Sequence, residues 1–329
     1  MSKIIIASNR LPITVGNTIK KSSGGLVSAL DGLFPNKDML WVGWPGPKTS
    51  KFKDPQALRR RLIKDFGYYP IFLNQHEIDD YYDGFSNSCL WPALHYFPHY
   101  IHYTLESWKS YVKINQKFAE HIAANASDDD LIWIHDYHLF LVPQMLRSIN
   151  PHLKIGFFLH TPFPSFEVFR CLPHREEILK GLLGSDVIGF HTYGYLRHFR
   201  SSAIRLLNTE SDIDKILYGE RSCKLGVFPI GINSRQFLNE LSSPKFQQRK
   251  ETFRSIHAGQ KIVLGVERVD YTKGILRRFD AIEKFLRNRK KKTKVVFIFI
   301  GVPTRGEVKA YKDLLDQIQK RVGEINGEY

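Results

Sequence analysis

The chain has 329 residues, 43% of them hydrophobic and 25% charged, with 48 Lys+Arg against 33 Asp+Glu and a formal charge of +15. That length suggests about two domains, and the balance excludes a disordered, fibrous or collagen-like chain, because apolar material for a core is ample. Three scattered cysteines, Cys89, Cys171 and Cys223, are too few for a disulfide framework and read as reduced thiols in a cytosolic protein.

In chain order, short apolar runs predict strands over 3–7, 39–43, 69–73, 131–135, 154–159, 186–190, 224–229, 261–266 and 294–300. Amphipathic stretches predict helices over 26–34, 55–66, 105–124, 138–149, 175–183, 193–208, 275–287 and 307–322. Apolar runs separated by helices are the pattern of a parallel sheet covered on both faces, so the fold class is α/β and doubly wound. Such folds bind ligands beyond the carboxyl ends of their strands. A boundary falls near 231–233, giving segments 1–232 and 233–329; the second, with two clear strands, is thin for an independent doubly wound domain. There is no internal repeat or low-complexity tract. The longest apolar run, Val295 to Val302, is far short of the ~18–20 residues of a membrane span. The opening MSKIIIASNR turns polar too soon for a signal peptide.

Much of the positive charge sits in one run from Arg287 to Lys294. The plainer reading is a solvated loop before a strand. Nucleic-acid binding normally adds a basic face with interleaved aromatics or a known module, and neither is found. Phosphorylated small molecules are the better acidic partners. The sequence has no phosphate loop of the G-x-x-x-x-G-K-[ST] type, no G-x-G-x-x-G, no G-x-S-x-G and no C-x-x-C. His95, His99 and His102 have metal-like spacing but no nearby carboxylate cluster, and read as packed or surface histidines.

Four places are richer in chemistry. Ser8-Asn9-Arg10 ends the opening strand, and Ser22-Ser23-Gly24-Gly25 precedes a helix. Paired glycines and exposed N–H groups at a helix start suit a phosphate, to which Arg10 adds a bidentate contact; a simple turn is the alternative. Next, the strand Ile132-Trp133-Ile134 runs into His135-Asp136-Tyr137-His138. Asp136 there either caps the next helix or accepts hydrogen bonds from a polyol. The third place repeats the arrangement, with a strand ending at His160 and prolines fixing the following turn. Neighbouring strands would deliver Asp136 and His160 to one crevice. The fourth, Gly265 to Gly274, sets Arg268 and Lys273 around a turn that opens a helix, the makings of a diphosphate site. Arg305 ends the next strand and adds a phosphate contact. Apart from these, Tyr81 to Pro92 is rich in aromatics, which serve either a core or the faces of sugar rings.

The stretches SNRLPITV, SSGGL, WVGWPG, YYDGFSNSCLWP, IWIHDYHL, FFLHTPFP, GFHTYGYLRHF, VFPIGI, VERVDYTKG and VPTRG occur in this order from Lys3 onward. As an ordered set they resemble the trehalose-6-phosphate synthase family of retaining glycosyltransferases, eukaryotic members above all. The resemblance implies two facing Rossmann-like doubly wound domains (GT-B type), an N-terminal acceptor-binding domain over 1–232 and the first part of a donor-binding domain over 233–329. It implies transfer of glucose from UDP-glucose to glucose-6-phosphate with retention, giving trehalose-6-phosphate, with no metal and no cofactor beyond the nucleotide sugar. By resemblance, Arg10, Trp44, Tyr82, Trp91, Asp136 and Arg305 hold glucose-6-phosphate, Gly24, Gly25, Arg268 and Lys273 hold the donor, and His160 lies near the transferred glucose. His160, Asp136, Arg268 and Lys273 are the expected catalytic set. Without a metal, Arg268, Lys273 and the glycine backbone must stabilise the departing diphosphate. The route is front-face attack, because no carboxylate pair supplies the nucleophile of a retaining glycosidase. The implied setting is cytoplasmic, with no nucleic acid or membrane partner, and with a homo-oligomer or a trehalose synthase complex as the assembly. Family members continue well beyond Tyr329, so the second domain is expected to be incomplete. The alternative is a truncated, non-catalytic sugar-phosphate-binding or regulatory subunit of such a complex.

Overall fold

A computed structural model describes residues 2–16, 18–22, 25–30, 39–289 and 294–329. The chain divides into two compact units, Met1–Ile232 and Asn233–Tyr329.

The first unit is built on a sheet of nine strands among the described residues: β1 (Ile4–Arg10), β4 (Met39–Trp44), β5 (Tyr68–Pro70), β6 (Leu131–His135), β7 (Lys154–Phe158), β8 (Val187–Phe190), β9 (Glu210–Asp212), β10 (Lys215–Tyr218) and β11 (Arg221–Val227); β2 (Ile13–Val15) and β3 (Ile19–Lys21) form a separate hairpin. The strand order is β5-β4-β1-β6-β7-β8-β11-β10-β9, parallel from β5 through β11 and antiparallel at β10 and β9. Strand β1 runs 0% exposed through Ile5, Ile6 and Ala7, as a strand covered on both faces must. Chain order reverses at β1, whose neighbours are β4 and β6. This is the switch point at which doubly wound sheets open a crevice.

Helices Pro55–Phe66, Leu105–Ala123, Val142–Ile149, Arg175–Leu182 and Tyr193–Leu207 link these strands. Asp54 starts the first by accepting the Ala57 N–H, and Gly67, in a left-handed conformation, ends it. The predicted helix 138–149 is split: Tyr137–Leu139 makes one tight turn, and the helix begins at Val142, where Pro143 fits the first turn. The predicted helix 26–34 appears as Gly25–Leu30, and its last four positions lie outside the described residues. The aromatic segment Ile78–Leu90 is a wide-turned π-helix, closed by Trp91 N–H donating to Ser86 O. Period-3.6 reasoning has no template for it, and such geometry is most frequent near functional sites.

The second unit pairs β12 (Lys261–Arg268) with β13 (Val295–Val302) in parallel register. Its core is Val269, Ile275, Phe279, Leu314, Ile318 and Ile325. Four helices are described here: Ser234–Leu241, Pro244–Ile256, Ile275–Asn288 and Lys309–Glu328. The first two fall where no helix is predicted, and Ser243 caps the second of them through the Phe246 N–H. Leu264 and Val266 are 61% and 62% exposed, unlike the usual strands of parallel sheets.

Candidate functional site

The carboxyl ends of the central strands of the first unit carry Arg10 on β1, Trp44 on β4, Asp136 after β6, His160 after β7 and His191 after β8. Arg10 and Trp44 are register partners. The Arg10 guanidinium lies 4.4 Å from the Trp44 ring centroid, a cation–π contact. Trp44 is held by its own Nε1–H, which donates to Pro47 O at 3.0 Å. Gly43 and Gly46 make this approach feasible. A Cβ on Gly43 would stand 2.8 Å from Ser8 O, and one on Gly46, at φ +107°, would stand 2.7 Å from Arg10 Nη2. Burial lowers the Arg10 pKa, against a smaller opposing effect of Tyr82.

The aromatic surface continues from there. Trp44 meets Tyr82 edge-on with centroids 5.6 Å apart, and Tyr82 stacks on His138 at 5.8 Å. His138 contacts Tyr137 at 3.9 Å, and Tyr137 contacts Trp91 at 5.7 Å. One chain of contacts therefore joins Arg10, Trp44, Tyr82 and Trp91, with Asp136 next to Tyr137. Flat rings suit the C–H faces of a sugar, the guanidinium suits a phosphate and the carboxylate suits hydroxyls.

Asp136 has φ 73° and ψ 167°, a region that only glycine visits readily. Its N–H donates to Phe158 O at 2.9 Å, and its carbonyl accepts from Leu139 N–H at 3.1 Å. Its side chain does not cap the turn that follows. A buried polar frame fixes this segment. Tyr111 Oη donates to Tyr137 O at 2.6 Å and accepts from Phe140 N–H at 3.1 Å. Asn115 donates to His138 O at 3.0 Å and accepts from Leu141 N–H at 3.1 Å. Tyr81 Oη donates to Asn9 Oδ1 at 3.0 Å, tying the π-helix to the end of β1. No local motif announces Tyr111 or Asn115, because their partners are far away in sequence.

Strands β6 and β7 are adjacent, as expected, and His160 lies beside His135, with His135 Nδ1 and His160 Nε2 3.0 Å apart. Burial pushes both imidazole pKa values down, His160 to about 4 and His135 well below its ordinary value. His191 is lowered by burial as well. All three are neutral near pH 7.

In the second unit, Arg268 and Arg305 converge on Asp270, which is 0% exposed. Arg305 Nη1 lies 3.0 Å and Arg268 Nη2 3.9 Å from Asp270 Oδ2. Arg305 Nη1 also donates to Tyr311 Oη at 2.8 Å, and Arg305 itself has φ 48°. Arg305 and Arg268 thus share Asp270 within the second unit. Lys273 is exposed, at the end of the turn Tyr271–Lys273, and no side chain caps the helix that opens at Ile275. Arg278 pairs with Glu267, fastening that helix to the end of β12.

Gly24 lies outside the described residues. Gly25 starts the helix Gly25–Leu30, and a Cβ there would meet nothing within 4 Å. His95 Nδ1 bonds Trp91 O at 2.8 Å, and His99 packs on Tyr100. Among the described residues no group of three or more His, Cys, Asp or Glu is arranged to hold a metal ion. No described helix is long and apolar enough to cross a membrane.

The family model described as Glycosyltransferase family 20 matches residues 2–329. The chain is 43% identical to the alpha,alpha-trehalose-phosphate synthase [UDP-forming] 56 kDa subunit of Saccharomyces cerevisiae, over 99% of this chain and 68% of that protein. It is 42% identical to the Emericella nidulans alpha,alpha-trehalose-phosphate synthase [UDP-forming], over 100% of this chain and 67% of that one. It superposes, with a TM-score of 0.87 and 29% identity, on the Burkholderia xenovorans alpha,alpha-trehalose-phosphate synthase (UDP-forming) solved in complex with glucose-6-phosphate, covering 100% of this chain and 72% of that one. The chain therefore spans about two thirds of these relatives and belongs to glycosyltransferase family 20.

Proposed function

We propose that this protein transfers glucose from UDP-glucose to glucose-6-phosphate with retention, forming trehalose-6-phosphate. The observation that carries the reading is the contact chain from Arg10 through Trp44 and Tyr82 to His138 and Tyr137, beside Asp136, at the switch point of the first unit. Arg10 takes the phosphate, the rings take the sugar face and Asp136 accepts from its hydroxyls. On the second unit, Arg268 and Lys273 stabilise the diphosphate as it leaves, with no metal. Arg305, held on Asp270, adds positive charge near Arg268. His160 contributes a neutral imidazole to the transferred sugar. The relatives' names supply the donor class and the acceptor, and the setting is cytoplasmic. A 56 kDa relative named as a subunit makes a multi-subunit assembly the expected context.

The second reading is a sugar-phosphate-binding subunit without turnover. The deciding experiment measures UDP release from UDP-glucose with and without glucose-6-phosphate. Release that depends on the acceptor and is lost in Lys273→Ala supports transfer. Glucose-6-phosphate binding without release supports the second reading.

A further inference from the structure

Side chains alternate along strands, so one face of the first-unit sheet carries Trp133 and His135 from β6, Gly156 and Phe158 from β7, and Gly189 from β8. Continuing that alternation past the strand ends places His160 and His191 beside His135, with ring centroids of 5.2 Å for His135–His160 and 5.9 Å for His160–His191. His135 is 1% exposed and packs against Trp133. One nitrogen of His135, Nδ1, faces His160 Nε2 at 3.0 Å, while its Nε2 is enclosed with no hydrogen-bond partner among the described residues.

Only one proton can lie between Nδ1 and Nε2, and the enclosure of the far nitrogen decides which ring supplies it. Were His160 the donor, neutral His135 would have to carry its proton on Nε2, leaving an N–H buried without an acceptor. With His135 Nδ1–H as the donor, the enclosed Nε2 is a bare lone pair. Buried N–H groups without partners are the rarer and costlier of the two. His160 then accepts at Nε2 and must carry its own proton on Nδ1. His191 does not compete for that proton, because it interacts with the backbone of His160.

We propose that His135 is a positioning residue that locks His160 in the Nδ1–H tautomer, so that His160 presents an N–H donor to an oxygen of the bound sugar. The identity of that oxygen's owner rests on the function proposed above; the tautomer does not. In free imidazole side chains the Nε2–H form prevails, so the lock reverses the default.

The test is a two-bond 1H–15N correlation spectrum of the full chain labelled with 15N-histidine, without substrate. His160 is assigned by the signal lost in His160→Gln. The expected result is a protonated Nδ1 and a bare Nε2 for His160, reverting to protonated Nε2 in His135→Phe. His135→Asn, whose amide can donate from nearly the same place, is expected to retain the Nδ1–H pattern. A wild-type His160 protonated on Nε2 overturns the proposal, and that reading requires no variant to fold. An unchanged pattern in folded His135→Phe also overturns it. Failure of the transfer assay with the expected tautomer present would count against the function alone.

Discussion

Gly46 and Arg10 are fitted to one another: a Cβ on Gly46 would stand 2.7 Å from Arg10 Nη2, where the guanidinium lies over Trp44. Gly46→Ala should therefore push Arg10 off the indole. Its backbone, at φ +107°, adds strain of about 1–3 kcal/mol. The expected outcome is a loss of hexose-phosphate affinity of roughly tenfold or more, with a fall in stability of about 1–3 kcal/mol. Calorimetric titration and thermal unfolding on the same sample separate the two effects.

Asp136 stores strain at the site it serves. At φ 73° and ψ 167°, replacement by glycine removes a cost of about 1–3 kcal/mol, whereas alanine keeps it. Asp136→Gly should be the more stable of the two variants by that amount in urea unfolding, while both lose sugar-phosphate binding. Equal stability would mean that the backbone there is unstrained.

Asp270 is the anchor of the second unit's cations. Asp270→Ala strips Arg305, whose side chain is 5% exposed, of its buried partner. Breaking a buried pair from one side costs about 3–5 kcal/mol. Chemical denaturation should show that loss, and Asp270→Ala combined with Arg305→Met should recover part of it.

The three clustered histidines set a pH dependence of stability. Each has a folded pKa below its unfolded value near 6.5, so the unfolded state binds more protons as pH falls below that value. Their contribution is complete above about pH 6.5 and declines as pH drops, for His160 until about 4. For His160 the slope between those limits is about 1.4 kcal/mol per pH unit. Unfolding midpoints measured from pH 7 to pH 4 should fall, and His160→Gln should flatten part of the decline.

The strands were readable because apolar runs such as Ile5–Ala7 are buried on both faces, and so were the positions of Arg10, Asp136 and His160, which stand where apolar runs end in polar residues. What stayed illegible depends on distant partners or unusual backbone. Nothing local to Trp108–Asn115 says that Tyr111 and Asn115 hold the turn at 137–141. The π-helix Ile78–Leu90 has no apolar period to announce it. His135 looks like the last residue of a strand until register puts His160 beside it. Arg305 reads as a phosphate ligand from its place after β13, and nothing near it in sequence says that Asp270 and Tyr311 hold it.

The proposed transfer requires glucose-6-phosphate to bind in the first unit's crevice. Isothermal titration of the full chain with glucose-6-phosphate should give saturable binding that Arg10→Ala weakens by about 10- to 150-fold, the equivalent of one charge-assisted contact of ~1.5–3 kcal/mol. Absent binding by the folded wild-type chain, or an Arg10→Ala variant that binds as tightly, would contradict it.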